Sequence, residues 1–183
     1  MYNPEEDSYF LQEQLRKYLK NKNKNLRILD TGSGTGIQAE TCLQARFKNV
    51  LASDIDNESL MLLKKKNIPA LKSNLFSKIK SKFDLIIFNP PYLPENKYDK
   101  LQDTTGGRKG DETILKFLMQ AKTHLTSNGK ILLLISSLTP KDRISKLIQK
   151  LNYKKIKTAE KKLFFETLEV WFISSSSARK QLL

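Results

Sequence analysis

Apolar residues recur along this chain in two periods that alternate from one end to the other. Leu11, Leu15, Tyr18 and Leu19 fall at i, i+4, i+7 and i+8, the spacing of one helix face. Asn3, Pro4 and Glu6 predict the start of that helix, with Asn3 as N-cap and Pro4 at the first helical position. "NKNKN" breaks the pattern. "LRILD" then reads as a short buried strand, with Gly32 to Gly36 as the turn after it. A helix is predicted from Ile37 to about Arg46, a strand in "NVLASD", and another helix in "NESLMLLKKKN", capped by Asn57. "PALKSNL" gives a third, weaker strand and "FDLIIFN" a fourth. Asp111 is the expected cap of a helix with Ile114, Leu118, Ala121 and Leu125 on one face. "GKILLLISS" carries the strongest strand pattern, and Thr139-Pro140 opens a helix with Ile144, Leu147, Ile148 and Leu151 in register. "YKKIKTAEKKL" and "FETLEVWFIS" follow as two strands with no helical period between them.

Near-continuous apolar strands alternating with amphipathic helices predict an α/β fold: a seven-stranded, mostly parallel sheet with helices on both faces and a C-terminal antiparallel hairpin. No repeat or linker divides the pattern. Residues 1–173 are therefore expected as a single domain and 174–183, "SSSSARKQLL", as a flexible tail.

Composition narrows the setting. A length of 183 residues with 39% hydrophobic content suits one core. No apolar run approaches the roughly 18–20 residues that span a bilayer, and the acidic start "MYNPEEDSYF" lacks the features of a signal peptide. Cys42 is the only cysteine, which excludes an intrachain disulfide and suits a reducing, cytoplasmic setting. One cysteine and one histidine are too few for a zinc site, so no metal is expected. His124 suits a helix C-terminus, and Cys42 and Trp171 suit packing. The 33 Lys+Arg against 19 Asp+Glu give a net charge of +14, which attracts polyanions. The lysines are dispersed along the chain, a pattern that fits a solvated surface equally well.

Short polar residues stand at equivalent places, the carboxyl ends of the predicted strands. Asp30 follows the first, Asp54 the second, Asn74 the third and Asn89 the fourth. In an open α/β sheet, ligands bind beyond these ends, where strand order reverses. A dinucleotide fingerprint needs a third glycine at position 37, where Ile37 stands, and no nucleoside-triphosphate loop is present. The Gly32, Gly34, Gly36 turn instead lets the backbone approach a small ligand closely. Asp54 is placed to accept from two ribose hydroxyls, Asn74 to meet an adenine edge and Asp30 to meet an ammonium. Ribose, adenine and an amino-acid head together describe S-adenosylmethionine. Taken singly, each residue also reads as an ordinary turn or loop position.

"FNPPY" beside that edge needs its own account. A planar nitrogen conjugated to a carbonyl or ring is a poor nucleophile. It reacts when its hydrogens are held and its lone pair is aimed. Asn89 Oδ1 can accept one N–H and the Pro90 carbonyl the other, while the prolines fix the loop and Tyr92 stacks on the flat target.

"LDTGSGTG", "SDID" and "FNPPY" resemble the Rossmann-like class I methyltransferases that act on planar nitrogens. "YNPEEDSYFLQEQL" and "TTGGRKGDETILKF" resemble the HemK-type release-factor glutamine methyltransferases, and within them the archaeal/eukaryotic branch. The resemblance runs from about Tyr2 to Phe172. It implies methylation of the side-chain nitrogen of the glutamine in the Gly-Gly-Gln motif of a class I translation termination factor. It further implies that Ser8, Asp30, Gly32, Gly34, Gly36, Asp54, Asn74, Leu75 and Asn89 bind S-adenosylmethionine, and that Asn89, Pro90 and Tyr92 hold the substrate amide. The family commonly has Asp where Asn74 stands and often Glu at the Asp30 position; both remain hydrogen-bond acceptors.

NPPY is shared with adenine methyltransferases, so an exocyclic amine of RNA or DNA is the alternative substrate. An inert binding module is a further one. Gly106, Gly107 and Gly110 suit either a flexible loop or a substrate gate. The branch also implies a small zinc-binding activator subunit. "PALKSNL" should be an edge strand, with Ile68, Leu71, Leu75, Phe76 and Ile79 around an edge open to pairing.

Overall fold

The computed structural model describes residues 3–93 and 106–175. Along them run helix α1 (Glu6–Leu19), strand β1 (Arg27–Thr31), α2 (Ile37–Gln44), β2 (Asn49–Asp54), α3 (Asn57–Lys65) and β3 (Ala70–Lys72). Then come β4 (Phe83–Phe88), α4 (Glu112–His124), β5 (Leu125–Ser136), α5 (Lys141–Lys150), β6 (Tyr153–Lys162) and β7 (Thr167–Ser175). The seven strands form one sheet in the order β3-β2-β1-β4-β5-β7-β6. The first five pair in parallel, and β7 runs antiparallel to both of its neighbours. Strand order departs in opposite directions from β1 and β4, so the carboxyl ends of these two strands flank the crevice where such sheets bind ligands.

Alternation along the strands builds two cores. Ile28 of β1 faces one core with Leu11, Leu15, Leu19, Ala39 and Leu63 from α1, α2 and α3. Leu29 faces the other with Ile114, Phe117, Leu118, Ile144 and Ile148 from α4 and α5. Each of the leucine, isoleucine and phenylalanine side chains contributes about 1.5–3 kcal/mol by leaving water, and together they hold the strand ends in register. Cys42 is fully buried in the first core, and burial pushes its thiol up well beyond the ordinary range. His124 stacks on Phe76 with ring centroids 4.6 Å apart, its nitrogens 3.0 and 3.1 Å from the Gln120 and Ile79 carbonyls. Trp171 is buried, donates to Glu169 at 2.7 Å and carries the Lys155 ammonium 3.8 Å from its ring centre. No helix among the described residues is long and apolar enough to cross a membrane.

Several element boundaries differ from the sequence expectation. α1 starts at Glu6 with Glu5 as N-cap rather than at Pro4 with Asn3, and its acidic first turn meets the positive helix end. α3 is capped by Asp56, whose Oδ2 accepts from the Ser59 amide and hydroxyl at 2.9 Å each; Asn57 is already helical. Asp111 holds the cap position of α4, but its carboxylate turns to Arg143 at 2.8 Å and ties α4 to α5. Leu125, expected on the helix face, opens β5 and remains buried. β3 ends at Lys72, so Asn74 lies beyond the strand. β7 extends to Ser175, into the segment expected as a tail, whose remaining residues 176–183 lie outside the described ones.

β3 does lie at the sheet edge, but the apolar set around it is mostly consumed by the fold. Ile68, Phe76 and Ile79 are buried in the two cores and Leu75 packs against one of them. Leu71, at 37% exposure, is the member of that set left open.

Candidate active site

β1 and β2 end side by side and are joined across their ends by the glycine turn. Asp30 is buried, and its Oδ2 accepts the Ala39 amide at 3.0 Å, tying β1 to α2. Burial raises its carboxyl from 3.8 to about 7; the Ala39 bond opposes the rise and the nearby Asp54 charge adds to it. Gly32, Gly34 and Gly36 adopt φ of 60°, 51° and 82°, a left-handed turn that delivers the chain to the start of α2. At Gly36 a Cβ would collide with Leu63, so the close approach of α2 to α3 requires glycine there. Asp54 closes the turn: Oδ2 accepts the Gly34 amide at 2.7 Å and Oδ1 the Asp56 amide at 2.9 Å. Both oxygens keep a lone pair for a further donor.

The opposite wall comes from distant parts of the chain. Asn89 follows β4, and its Nδ2 donates to Asp7 Oδ2 at 2.9 Å and to Ser8 Oγ at 3.3 Å. A carboxylate only accepts, so Asp7 fixes which end of the Asn89 amide faces α1. Asn89 Oδ1 is left buried without a hydrogen-bond partner. Gln38 Nε2 donates to the Ser8 carbonyl at 2.9 Å, and its Oε1 is likewise buried and unpartnered. Such an acceptor costs about 1–3 kcal/mol unless a ligand fills it. Tyr92 donates to Glu166 Oε1 at 3.4 Å, and Ser136 Oγ donates to the other oxygen of the same carboxylate. Burial, then the Asp7 and Glu166 charges, push the Tyr92 phenol far above its ordinary range, so it stays neutral. Gly106 donates to the Leu93 carbonyl at 2.8 Å, and a Cβ there would collide with the Pro91 and Gly110 carbonyls. The glycine segment is thus clamped to the exit of the NPPY loop, and residues 94–105 between them lie outside the described ones.

Between the walls is a cavity of about 330 Å³, a volume suited to a small ligand. Its lining includes the carboxylates of Glu5, Asp7, Asp30, Asp54, Asp56 and Glu166 and, among the described residues, neither Lys nor Arg. In a chain of net charge +14 this is a local reversal of sign. The site favours a cation and opposes a phosphate.

Ser8, Asp30, Gly32, Gly34, Asp54, Asn89, Pro90 and Tyr92 all line this cavity. Gly36 sits behind them as the first turn of α2 begins. Asn74 and Leu75 are not among the lining residues: Asn74 is exposed, its backbone amide bonded to Ser77 Oγ at 3.2 Å, and Leu75 packs on the core with φ 51°. Asp7 stands within the quoted N-terminal motif but is not singled out by the sequence as a site residue, and neither are Gln38 and Glu166, since their partners are remote in the chain. Ile55, 60% exposed on the cavity rim beside Asp54, was open to detection as an apolar residue with no place in a core.

Residues 6–166 match the model of the Methyltransferase small domain family. A Methanocaldococcus jannaschii protein named as a protein N5-glutamine methyltransferase is 34% identical over 182 residues, covering 93% of this chain and 89% of that one. The release factor glutamine methyltransferase of Lactococcus lactis subsp. lactis is 35% identical over 131 residues; the match covers 62% of this chain but only 48% of that enzyme. Among solved structures, the E. cuniculi Mtq2–Trm112 complex, described as responsible for methylation of the eRF1 translation termination factor, contains a similar chain. It matches with a TM-score of 0.77 and 25% identity, over 96% of this chain and 98% of that one.

Proposed function

We propose that this chain, which belongs to the Methyltransferase small domain family, methylates the side-chain amide nitrogen of the Gly-Gly-Gln glutamine in a class I translation termination factor. The observation that carries this reading is the buried, unpartnered Oδ1 of Asn89, oriented by Asp7 and Ser8. A primary amide brings two N–H donors, and one of them satisfies this acceptor. The Pro90 carbonyl takes the other. With both N–H bonds held, the nitrogen presents its lone pair in one direction, and its proton leaves after the new N–C bond has formed. Tyr92, neutral and held by Glu166, forms a flat wall that excludes water from the amide.

The facing wall fits S-adenosylmethionine, a cation with an ammonium, a ribose and an adenine. Bound there, it supplies the methyl group on a sulfonium. Asp54 would hold the ribose hydroxyls, Asp30 and the unpartnered Gln38 Oε1 the ammonium, and the exposed Ile55 the base. Gly32, Gly34 and Gly36 keep the backbone close to the ligand, and Ser8 and Asn89 close the end nearest the substrate. For Asn74 and Leu75, which lie outside the cavity lining, a role at the adenine edge rests on the resemblance alone.

A nucleic-acid base is the second reading, motivated by the charge of +14 and the shared NPPY motif. The acidic lining weighs against it, because a nucleotide must bring phosphates to the same mouth. Labelled S-adenosylmethionine, incubated separately with termination factor and with RNA or DNA, separates the two. Label on nucleic acid alone contradicts the amide reading, and label on neither favours an inert binding module. The reading places the enzyme in the cytoplasm with its substrate.

The chain's working form is proposed as a heterodimer with a small zinc-binding activator that adds a strand to the β3 edge beside Leu71. Leu75 lies near that edge, whereas Phe76 is buried and takes no part. Leu71→Asp is expected to release the activator from the copurified complex. An unaltered complex contradicts this placement.

A further inference from the structure

Phe164 and Phe165 close the β6–β7 hairpin and are 92% and 85% exposed, whereas Phe10, Phe47, Phe76, Phe83, Phe88 and Phe117 are buried. The two rings pack edge to face with centroids 4.6 Å apart. The turn is closed by the Leu163 amide donating to the Glu166 carbonyl at 2.7 Å, on strands paired without a break from Ala159 to Lys162. The residue after the pair, Glu166, lines the cavity and accepts from Tyr92 and Ser136. Lys161, before the pair, bridges to Glu6 at 3.3 Å and sets the hairpin beside the first turn of α1. An exposed aromatic pair is thus fixed, through its own turn, to the residue that holds the NPPY tyrosine.

We infer that Phe164 and Phe165 are the docking point for the body of the protein whose glutamine enters the cavity; this rests on the protein-amide reading above. The cavity recognises only the amide and its immediate surroundings, so discrimination of a whole protein needs contacts outside it. Two adjacent aromatics supply such contacts because they bury a large area at small entropic cost. They directly precede Glu166, which lines the cavity. A protein is the favoured occupant over RNA: the Glu166 carboxylate adjoins the tip, and in an edge-to-face pair one ring blocks part of the other's stacking face.

The test is steady-state methylation of the full termination factor by the complete enzyme, with its activator present, comparing wild type with Phe164→Ala/Phe165→Ala. Both side chains are so exposed that the variant is expected to fold normally. KM for the factor should rise about 10–100-fold, with kcat at saturation and affinity for S-adenosylhomocysteine unchanged. The pair Phe164→Leu/Phe165→Leu should recover part of the loss. Unchanged KM overturns the inference, as does a fall in kcat alone or a loss confined to self-association or RNA binding. A wild-type enzyme that leaves the factor unmodified contradicts the amide reading itself, and the docking inference falls with it.

Discussion

The cavity wall at the ends of β1 and β2 comes from residues 30–56, and its carboxylates bond to backbone amides within that stretch: Asp30 to Ala39, Asp54 to Gly34 and Asp56. The facing wall pairs Asn89 with Asp7, 82 positions away, and Tyr92 with Glu166, 74 positions away. The first wall presents fixed negative charge to a ligand. The second presents the oriented, unfilled Oδ1 of Asn89. The difference separates two tasks, holding a cation and aiming an amide, and substitutions in the two walls should therefore affect different kinetic constants.

The largest effect is expected at the unfilled acceptor. Asn89→Ala should lower kcat by roughly 10²–10³-fold, the usual loss when a positioned hydrogen-bonding group is removed from a reacting centre. Its affinity for S-adenosylhomocysteine, measured by calorimetry, should change far less. A variant that loses cofactor affinity and turnover equally would merge the two walls into one function.

Next is Asp7, which acts through Asn89. Asp7→Asn can donate as well as accept, so the Asn89 amide is no longer held with Oδ1 toward the substrate. A fall in kcat of roughly 10–100-fold, with thermal stability and cofactor affinity retained, marks a positioning role. Loss of stability without a change in kcat would make the pair structural only.

The smallest effect lies in the first wall and depends on pH. The folded state holds the Asp30 proton more tightly than the unfolded chain, because its carboxyl is raised to about 7. Its contribution to stability is therefore fullest below the ordinary carboxylate value and is lost as pH rises toward 7. A bound ammonium favours the ionised form, so cofactor affinity should run the other way and strengthen about tenfold from pH 6 to pH 8. In Asp30→Asn both trends should flatten. A wild-type affinity independent of pH across that range would remove Asp30 from the ammonium site.

The contrast between the walls also explains what was legible in the sequence. The strands, the helix faces and the G-x-G-x-G turn show in local periodicity, and so does the first wall, because its partners lie within one βαβ unit. "FNPPY" marked Asn89 and Tyr92 as unusual but not what holds them. Asp7 and Glu166 come from α1 and the β6–β7 turn, and only the closed sheet brings them to β4. The cap of α3 shifted by one residue, from Asn57 to Asp56, where two capping residues adjoin, and that of α1 by two, from Asn3 to Glu5. Asn74 was misplaced relative to the strand because β3 is only three residues long and none of the three is buried, so its end left little pattern.

The most direct measurement supplies termination factor and RNA together with S-adenosylmethionine and the enzyme, and locates the new methyl group by mass spectrometry. The account predicts one methyl on the side-chain nitrogen of the Gly-Gly-Gln glutamine, unmodified RNA, and a rate of methylation roughly 10²–10³-fold lower when Asn89→Ala replaces the wild type. A methyl on an RNA base with the factor unmodified, or a factor methylated by Asn89→Ala at the wild-type rate, would contradict it.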